Sequence, residues 1–410
     1  LFQNFVQRRF LNYLNKCFIH KLRKNYDETT DHQEFILRNK NLEHNFDNFV
    51  KLLYDISNDD LQQCNELLSS IVILEKELTC EGSWNNEMSQ EIAKKLNHVF
   101  ESKTKLPIDM VLRKNKVCKS EEVFDKCLEN LHMKLTSEDF KKYPAQVEVY
   151  CSLILNLKNY NVSVIPSKLF PASILLIEDY LIDNKIKGLK CCLAILKLLK
   201  PEDFDGGNYY DVIYMTLKKN LNEKDIDVTK LNNSCMLALL ELLPEKPKRD
   251  KLDEVYLDTL EALLIEGNLE RKACCFNFTT TLIKWHKDNC ANRSSFIHII
   301  CDNLGICTND TVYSIILKPV LECLETWIEF NWPVWRLEND YKVLCALLKV
   351  LYICKDDELN QQMYKIIVTL ICLCTIDEQK LIINQLNEAQ EIQCNNFKDK
   401  IENIKAFLNS

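Results

Sequence analysis

The sequence predicts an all-α protein, an α-solenoid of HEAT/ARM-like helical hairpins, and two observations lead to that prediction. The first is the scarcity of glycine and proline, with six and nine residues among 410, well below the usual proportions of about 7% and 5%. Tight β-turns, phosphate-binding loops and nucleophile elbows all require glycine, because the backbone there adopts a positive φ or approaches a ligand closely. The second observation is the helical spacing of apolar residues, which is clearest over residues 167–199.

Residues 167–199 predict two helices joined by a turn so short that they must fold back on each other. The second helix carries two apolar stripes at helical spacing: Ile186, Leu189, Leu193 and Leu196, with Cys192, Ile195 and Leu199 beside them. A helix with two apolar stripes needs cover from its own partner and from a neighbouring pair, which favours a stack of hairpins over a closed bundle. Gly188 lies inside this helix at a cost of up to ~1 kcal/mol relative to alanine, and close approach of the facing helix would compensate for it.

The length allows two or three ordinary domains or one continuous array of about nine hairpins with roughly 40 to 47 residues each, and we favour the continuous array. No linker rich in Ser, Gly or Pro interrupts the chain, and the hairpin pattern becomes regular from Pro144 onward. We therefore predict a divergent N-terminal set of helical repeats over residues 1–143 and a HEAT-like repeat region over residues 144–410.

The first predicted helix, residues 2–26, combines an apolar face with a basic one. The apolar residues at helical spacing are Phe5, Val6, Phe10, Leu14, Phe18 and Leu22, and no acidic residue occurs before Asp27. A basic amphipathic helix can lie on an anionic membrane or bind calmodulin. The interpretation we favour is the end helix of the array, whose long basic side chains extend around a buried apolar stripe.

The charge, the hydropathy and the cysteine content indicate which partners and which cellular compartment to expect. The net charge is −8 and the isoelectric point is about 5.6, which gives no general attraction to nucleic acid. The longest uncharged apolar run, residues 366–374, is far shorter than the ~20 residues that span a bilayer. The 20 cysteines fall largely at core positions of predicted helices, where a thiol behaves as a small hydrophobic group. We expect a reducing compartment, the cytoplasm or the nucleus.

No pattern in the sequence indicates catalysis or a bound cofactor. The zincin, nucleophile-elbow, P-loop and dinucleotide-binding motifs are all missing, and so is C-x-x-C. The strongest metal candidate is a set of four residues in two pairs: His286, Cys290, His298 and Cys301. Each pair could face one way on its helix, but cysteine is frequent enough here for such spacings to arise by chance. We predict no catalytic residue, no cofactor and no metal, and keep a zinc protein or enzyme as a minor alternative.

Two further features have a structural and a functional interpretation. The acidic doublets Asp59–Asp60 and Asp356–Asp357 precede predicted helices, where carboxylates accept the free amides of the first turn, so we predict capping. The segment Phe330–Trp335 places Trp332 and Trp335 beside Pro333, which makes a rigid apolar loop of the kind found at interface hot spots. A pair of core tryptophans filling the gap between two hairpins explains it equally well.

The central hairpin also carries a recognisable motif, which runs P-A-S, an acidic pair with Tyr, then N-K-x-x-G and a Cys three residues later. The residues are Pro171-Ala172-Ser173, Glu178-Asp179-Tyr180, Asn184-Lys185, Gly188 and Cys191. This motif resembles that of the Tel-two-interacting protein two family. The order and spacing agree over residues 140–354, about half of the chain, whereas the N-terminal third shows no such agreement.

Several segments on both sides of this motif extend the resemblance. Pro201-Glu202-Asp203, the stretch 210–214, the leucine-rich stretch 237–244 that ends in a proline, and Trp332-Pro333 followed by the stretch 342–349 are similar to the family's continuation. Two departures from the family pattern argue against a specific basic contact in these segments. Val334 follows Trp332-Pro333 where the family tends to have Arg, with Arg336 coming later, and residues 268–298 are less basic than expected.

The resemblance implies a non-catalytic scaffold subunit of the Triple-T cochaperone complex. Its partners would be Tel-two-interacting protein one and Tel-two, both larger helical-repeat subunits, with neither nucleic acid nor membrane involved. That assembly works with the ninety-kilodalton heat-shock chaperone in the maturation of phosphatidylinositol-3-kinase-related kinases, the mTOR, ATM and ATR class. The alternative is a generic HEAT/ARM-repeat interaction adaptor in another pathway, and the identity of the partner discriminates between the two.

The residues predicted for a partner interface lie at two places. Four occupy the turn of the central hairpin: Asp179, Tyr180, Asn184 and Lys185. A helix cap or an ion pair within the hairpin is at least as good an explanation for them, since charges near turns usually cap helices. The other two are Trp332 and Trp335.

Overall fold

The computed structural model describes residues 2–28, 31–204, 208–335, 341–389 and 395–408. Every regular element in these ranges is an α-helix or a short 3₁₀-helix. The chain divides into two compact units, Leu1–Thr216 and Leu217–Ser410, and each is a stack of helical hairpins, which confirms the predicted fold class. The predicted division between residues 143 and 144 concerns the regularity of the repeats and stays a prediction.

The described part of unit 1 contains nine α-helices and most of a tenth: α1 Phe2–Cys17, α2 Gln33–Asp55, α3 Asn58–Gln63, α4 Asn65–Thr79, α5 Glu87–Thr104, α6 Ser120–His132, α7 Pro144–Leu155, α8 Pro166–Ile177, α9 Ile182–Leu196 and α10 Tyr209–Lys219. The boundary with unit 2 falls within α10. Helix α4 is central to the N-terminal part and packs against α5, α6 and α7. Further along, α6 packs on α8 and α7 packs on α9, so that successive hairpins form two layers.

The first helix is shorter than the predicted residues 2–26, because the chain leaves helical geometry after Cys17. The backbone of the following segment is held by distant parts of unit 1. The Ile19 amide donates to Glu77 Oε1 at 2.8 Å, and the amides of Leu22 and Tyr26 donate to the carbonyls of the 3₁₀-helix Phe140–Lys142. The apolar stripe is nevertheless buried from Phe10 to Leu22. Because these residues already lie in the core, they are not free to contact a membrane or calmodulin. The side chains of Phe5 and Val6 lie outside the described residues.

The α-helices in the described part of unit 2 are α11 Ile226–Glu241, α12 Glu245–Ile265, α13 Leu269–His286, α14 Ser295–Ile306, α15 Asp310–Asn331, α16 Lys342–Ile353, α17 Asp357–Cys372, α18 Ile376–Ala389 and α19 Asn395–Leu408. The packing is regular. Helices α12, α14 and α16 follow one another in one layer, and α11, α13, α15 and α17 follow one another in the second. Pairs α12/α13, α14/α15 and α16/α17 are the hairpins, each contributing one helix to each layer, as in HEAT-type repeats.

The central hairpin, α8 and α9, shows why glycine stands inside a helix. A Cβ atom at Gly188 would lie 2.7 Å from the Ile177 amide nitrogen and 2.8 Å from the Ser173 carbonyl oxygen. Both atoms belong to the backbone of α8, which cannot shift cheaply, so the two helices meet at a distance that only glycine allows. The predicted close approach is confirmed.

The described cysteines are all free thiols, and many of them are fully buried in helix-packing positions. Burial raises the pKa of the Cys17, Cys80 and Cys323 thiols to about 12, so they behave as small apolar groups. Among the described helices, none combines the length and the apolar character that crossing a bilayer requires.

Candidate protein-interaction surfaces

The turn between α8 and α9 is organised around one buried carboxylate. The side chain of Asp179 is 2% exposed and lies 2.6 Å from Lys141 Nζ through its Oδ1 atom. The same oxygen accepts the Tyr180 amide at 2.8 Å, and Oδ2 accepts the Asn184 side-chain amide at 2.6 Å. We call Asp179, Lys141 and Asn184 the Asp179 clamp. It satisfies both carboxylate oxygens, as a charge withdrawn from water requires.

The Asp179 clamp joins three segments of unit 1 that are far apart in sequence. Lys141 belongs to the 3₁₀-helix Phe140–Lys142, whose carbonyl oxygens also accept the amides of Leu22 and Tyr26. The clamp therefore ties the N-terminal extended segment and the α8–α9 turn to one short helix. For Asp179 and Asn184 the structural interpretation is the one the geometry supports.

Tyr180 is placed differently from its neighbour, since 73% of its surface is exposed. The Lys141 ammonium group lies 3.8 Å from the centroid of its ring, a cation–π contact that fixes the ring without burying it. Leu181 beside it is also exposed, and Lys185 in the first turn of α9 is half-buried. The turn thus presents an ordered aromatic ring to solvent, and Tyr180 is the residue of this group that remains available to a partner.

At the second predicted site, Trp332 and Trp335, one residue is again buried and the other exposed. Trp335 is 3% exposed, and its ring lies 6.3 Å from that of Tyr341 in an edge-to-face arrangement. Trp332 is 52% exposed at the start of the 3₁₀-helix Trp332–Val334. Trp335 is therefore a core residue of unit 2, whereas Trp332 stays accessible. The two rings were predicted to act as a pair, but their surroundings differ.

Lys141 is a structurally important residue that the sequence pattern did not indicate. It lies 38 positions before Asp179, and nothing in the local pattern links the two. The available signal was a pair of lysines, Lys141 and Lys142, immediately before the helix break at Pro144. Such a pair is also an ordinary surface feature, so the signal was weak.

The four residues considered for zinc do not form a site. His286 is buried and its Nε2 atom lies 3.4 Å from Asp253 Oδ1, while His298 is exposed to solvent. Burial lowers the pKa of His286 and raises the pKa of the Cys290 thiol to about 12, which disfavours the thiolate that zinc requires. Within the described ranges no three His, Cys, Asp or Glu side chains are placed to hold a metal ion.

Both acidic doublets were predicted to precede a helix and cap it, and the prediction holds for Asp356–Asp357 but is wrong for Asp59–Asp60, which lie inside the first turn of α3. Asp356 caps α17 by accepting the Leu359 amide at 3.0 Å. At α3 the cap is Ser57, whose hydroxyl accepts the Asp60 amide at 3.1 Å and donates to the Asp60 carboxylate at 2.6 Å. Neither arrangement leaves a carboxylate pair arranged for acid–base chemistry.

Comparison with known proteins returns similarities of structure only. No protein-family model matches the sequence, and no curated protein sequence matches it. The crystal structures of Kap121p and of a mutant of it are each 11% identical to this chain with a TM-score of 0.48, and they cover 98% and 99% of it respectively. An engineered protein is also 11% identical, with a TM-score of 0.37 over 99% of this chain and 96% of its own. The chain spans about two-fifths of the length of Kap121p.

Proposed function

We propose that this protein is a non-catalytic scaffold subunit of the Triple-T cochaperone complex, acting with Tel-two-interacting protein one and Tel-two. In that role it would support the folding, assembly and stability of phosphatidylinositol-3-kinase-related kinases together with the ninety-kilodalton heat-shock chaperone. The cytoplasm or nucleus is the compartment that fits this role and the abundance of free thiols.

The observation that carries the proposal is the central motif, because its residues have distinct places in one hairpin. Asp179 and Asn184 lock the turn, and Gly188 lets α9 approach α8. Cys191 is fully buried in α9, and Tyr180 is held in the open. A motif made of three packing elements and one ordered, exposed aromatic ring is suited to displaying that ring to another protein. Solenoids of hairpins provide such extended surfaces and do not need a catalytic site.

Affinity purification of the tagged full-length chain from its native cells, followed by mass spectrometry, tests the proposal. We expect two much larger helical-repeat proteins, Tel-two-interacting protein one and Tel-two, in near-stoichiometric amounts. Recovery of the chain with a different stable partner set would favour the generic adaptor, and recovery as a partner-free monomer would contradict both functions. Tagged protein in which Asp179 is replaced by alanine is a useful companion, since loss of the turn should reduce recovery of the partners.

A further inference from the structure

A shallow groove of about 280 Å³ lies between α7 and α9 in unit 1. Its floor is apolar and includes Leu155, Leu193 and Leu198, of which Leu155 is 45% exposed and the other two are half-buried. Leu193 belongs to one of the two apolar stripes of α9. The groove is thus a place where the fold leaves apolar surface uncovered.

Three lysines form the rim of this groove: Lys158, Lys190 and Lys197. All three are exposed, and the structure gives none of them an ion pair with a described residue. No carboxylate lines the groove. By contrast, Lys187, one turn before Lys190 on α9, is paired with Glu148 on α7 at 2.5 Å. This part of unit 1 therefore pairs Lys187 with a carboxylate, whereas the three rim lysines have no such partner among the described residues.

Helix dipoles explain only part of this arrangement. Lys197 caps α9, and Lys158 follows the end of α7 in the 3₁₀-helix Leu157–Asn159, where a positive charge is favourable. Lys190 lies in the middle of α9, away from either end. In a chain with a net charge of −8, three unpaired lysines around an apolar floor form a local region of positive potential.

A second groove shows that solenoid geometry does not by itself produce this charge. It has a volume of about 310 Å³, lies between α15 and α17 of unit 2, and has Ile328 and Ile366 in its lining. The charged groups there are Glu325, Glu329 and Lys365. Both grooves lie between packed helices, but the charged side chains around the first are all basic, whereas those around the second are mainly acidic.

We propose that the lysine-rimmed groove of unit 1 binds an acidic amphipathic helix of a partner protein, with two or three apolar side chains on the floor and Asp or Glu against the lysines. An amphipathic helix laid in an apolar groove is a common mode of peptide recognition, and charge complementarity selects its acidic form. Single-stranded nucleic acid is disfavoured, because no aromatic side chain lines the groove to stack on a base. The inference depends on unit 1 alone and holds whether or not the proposed cochaperone function is correct.

A displayed library of random 16-residue peptides, selected on the purified full-length chain and counter-selected on the variant Lys190→Glu/Lys197→Glu, tests the proposal. Peptides retained by the wild type and lost on the variant should carry apolar residues at helical spacing with a clear excess of Asp and Glu. Selection of peptides without that acidic excess, or of none that depend on the lysines, would overturn the inference. The variant should keep its helical circular dichroism, since both lysines are exposed.

Fluorescence anisotropy with the best selected peptide measures its affinity for the wild type and for each variant. We expect Lys190→Glu/Lys197→Glu to weaken binding at least tenfold, and a rise in salt from about 50 to 300 mM to weaken it as well. The matched control Lys94→Glu/Lys95→Glu makes the same change of net charge on exposed lysines of α5 and should change affinity less than twofold. Equal loss in both variants would show that only overall charge matters and would contradict the proposal. Binding of an oligo-dT strand or of phosphatidylserine vesicles that depends on Lys190 and Lys197, without any dependence of peptides, would identify a different class of ligand and contradict the proposal.

Discussion

The α8–α9 turn of unit 1 and the Trp332–Trp335 segment of unit 2 solve the same problem with different chemistry. Each has one buried anchor followed or preceded by one exposed aromatic ring. In unit 1 the anchor is the carboxylate of Asp179, held by Lys141 and Asn184, and the exposed ring is Tyr180. In unit 2 the anchor is the indole of Trp335 and the exposed ring is Trp332.

Because the two anchors differ in chemistry, their removal should destabilise the two regions for different reasons. A buried indole stabilises through the apolar area it removes from water, so its loss leaves a cavity. A buried carboxylate gives little net stability while it is paired, but removing it leaves its partners unpaired in a place that water reaches poorly. The aromatic rings beside the anchors contribute little to either region and are free to contact a partner.

The largest effect we expect comes from Trp335→Ala. The free energy of local opening at α16 should fall by about 3–5 kcal/mol, the usual cost of deleting a buried Trp side chain. Hydrogen–deuterium exchange of the amides in Lys342–Ile353 measures it directly. The control is Trp332→Ala, which should change opening by less than ~1 kcal/mol because the ring is half exposed. Equal loosening by the two variants would show that the rings act as one core unit.

Asp179→Ala should have the next largest effect, about 2–3 kcal/mol, because Lys141 and the Asn184 amide lose their acceptor. Exchange of the amides at the start of α9 and in the Phe140–Lys142 helix should rise together, since the clamp joins them. Asp183→Ala removes an exposed carboxylate from the same helix end and should cost less than ~1 kcal/mol. In the double variant Asp179→Ala/Lys141→Ala, part of the loss should be recovered because no unpaired ammonium group remains.

These anchors also show how far the sequence could predict the structure. Apolar spacing over residues 167–199 and the position of Gly188 were sufficient to predict the α8–α9 hairpin and its close contact, because both signals are local. The difference between Trp332 and Trp335 was not predictable, since the burial of each ring depends on how the chain turns after α15. Periodicity gives no information about an irregular turn of that kind.

Contacts between residues distant in sequence account for the other failures. The apolar pattern of the first helix continues to Leu22, yet α1 ends at Cys17 because Glu77, 58 residues away from Ile19, accepts the Ile19 amide. Likewise Lys141 and Asp179 are paired only because the fold places the 3₁₀-helix Phe140–Lys142 beside the α8–α9 turn. Helical pattern predicts that residues are buried, but the identity of a polar partner requires the fold.

Glu77 is a buried polar residue whose effect on stability should depend on pH, whereas the effect of Trp335 should not. It is fully buried, accepts from the Ile19 amide at 2.8 Å and from Gln146 Nε2 at 2.5 Å, and faces the charges of Arg38 and Lys134. Burial raises the pKa of Glu77 above its ordinary value, against the opposing effect of Arg38. At pH values between the ordinary pKa of Glu77 in the unfolded chain and its raised pKa in the folded chain, the folded chain holds more protons than the unfolded chain. The free energy of unfolding should therefore fall as pH rises through this window, by at most ~1.4 kcal/mol per pH unit.

Urea unfolding of the full chain between about pH 4.5 and pH 7.5 measures this slope. Glu77→Gln should flatten it, because the amide does not titrate, whereas Glu91→Gln, an exposed position on α5, should leave it as in the wild type. A slope that survives Glu77→Gln would assign the pH dependence to other groups. Trp335→Ala should lower stability equally across the range, since an indole carries no titrating proton there.

Replacing the exposed rings of Tyr180 and Trp332 should have the smallest effect on stability. These two rings are, however, the candidates for contact with a partner. Tyr180→Ala should cost about 0.5–1 kcal/mol through loss of the contact with Lys141, and Trp332→Ala less than ~1 kcal/mol. If either ring is an interface hot spot, its removal weakens partner binding by 2 kcal/mol or more, roughly 30-fold. Quantitative affinity purification with the larger helical-repeat partners compares each variant with Tyr54→Ala, which removes a ring that is 56% exposed elsewhere in unit 1. Loss with Tyr180→Ala but not with Trp332→Ala or Tyr54→Ala would place the interface at the α8–α9 turn, and equal recovery of all three would rule out both rings as anchors for that partner.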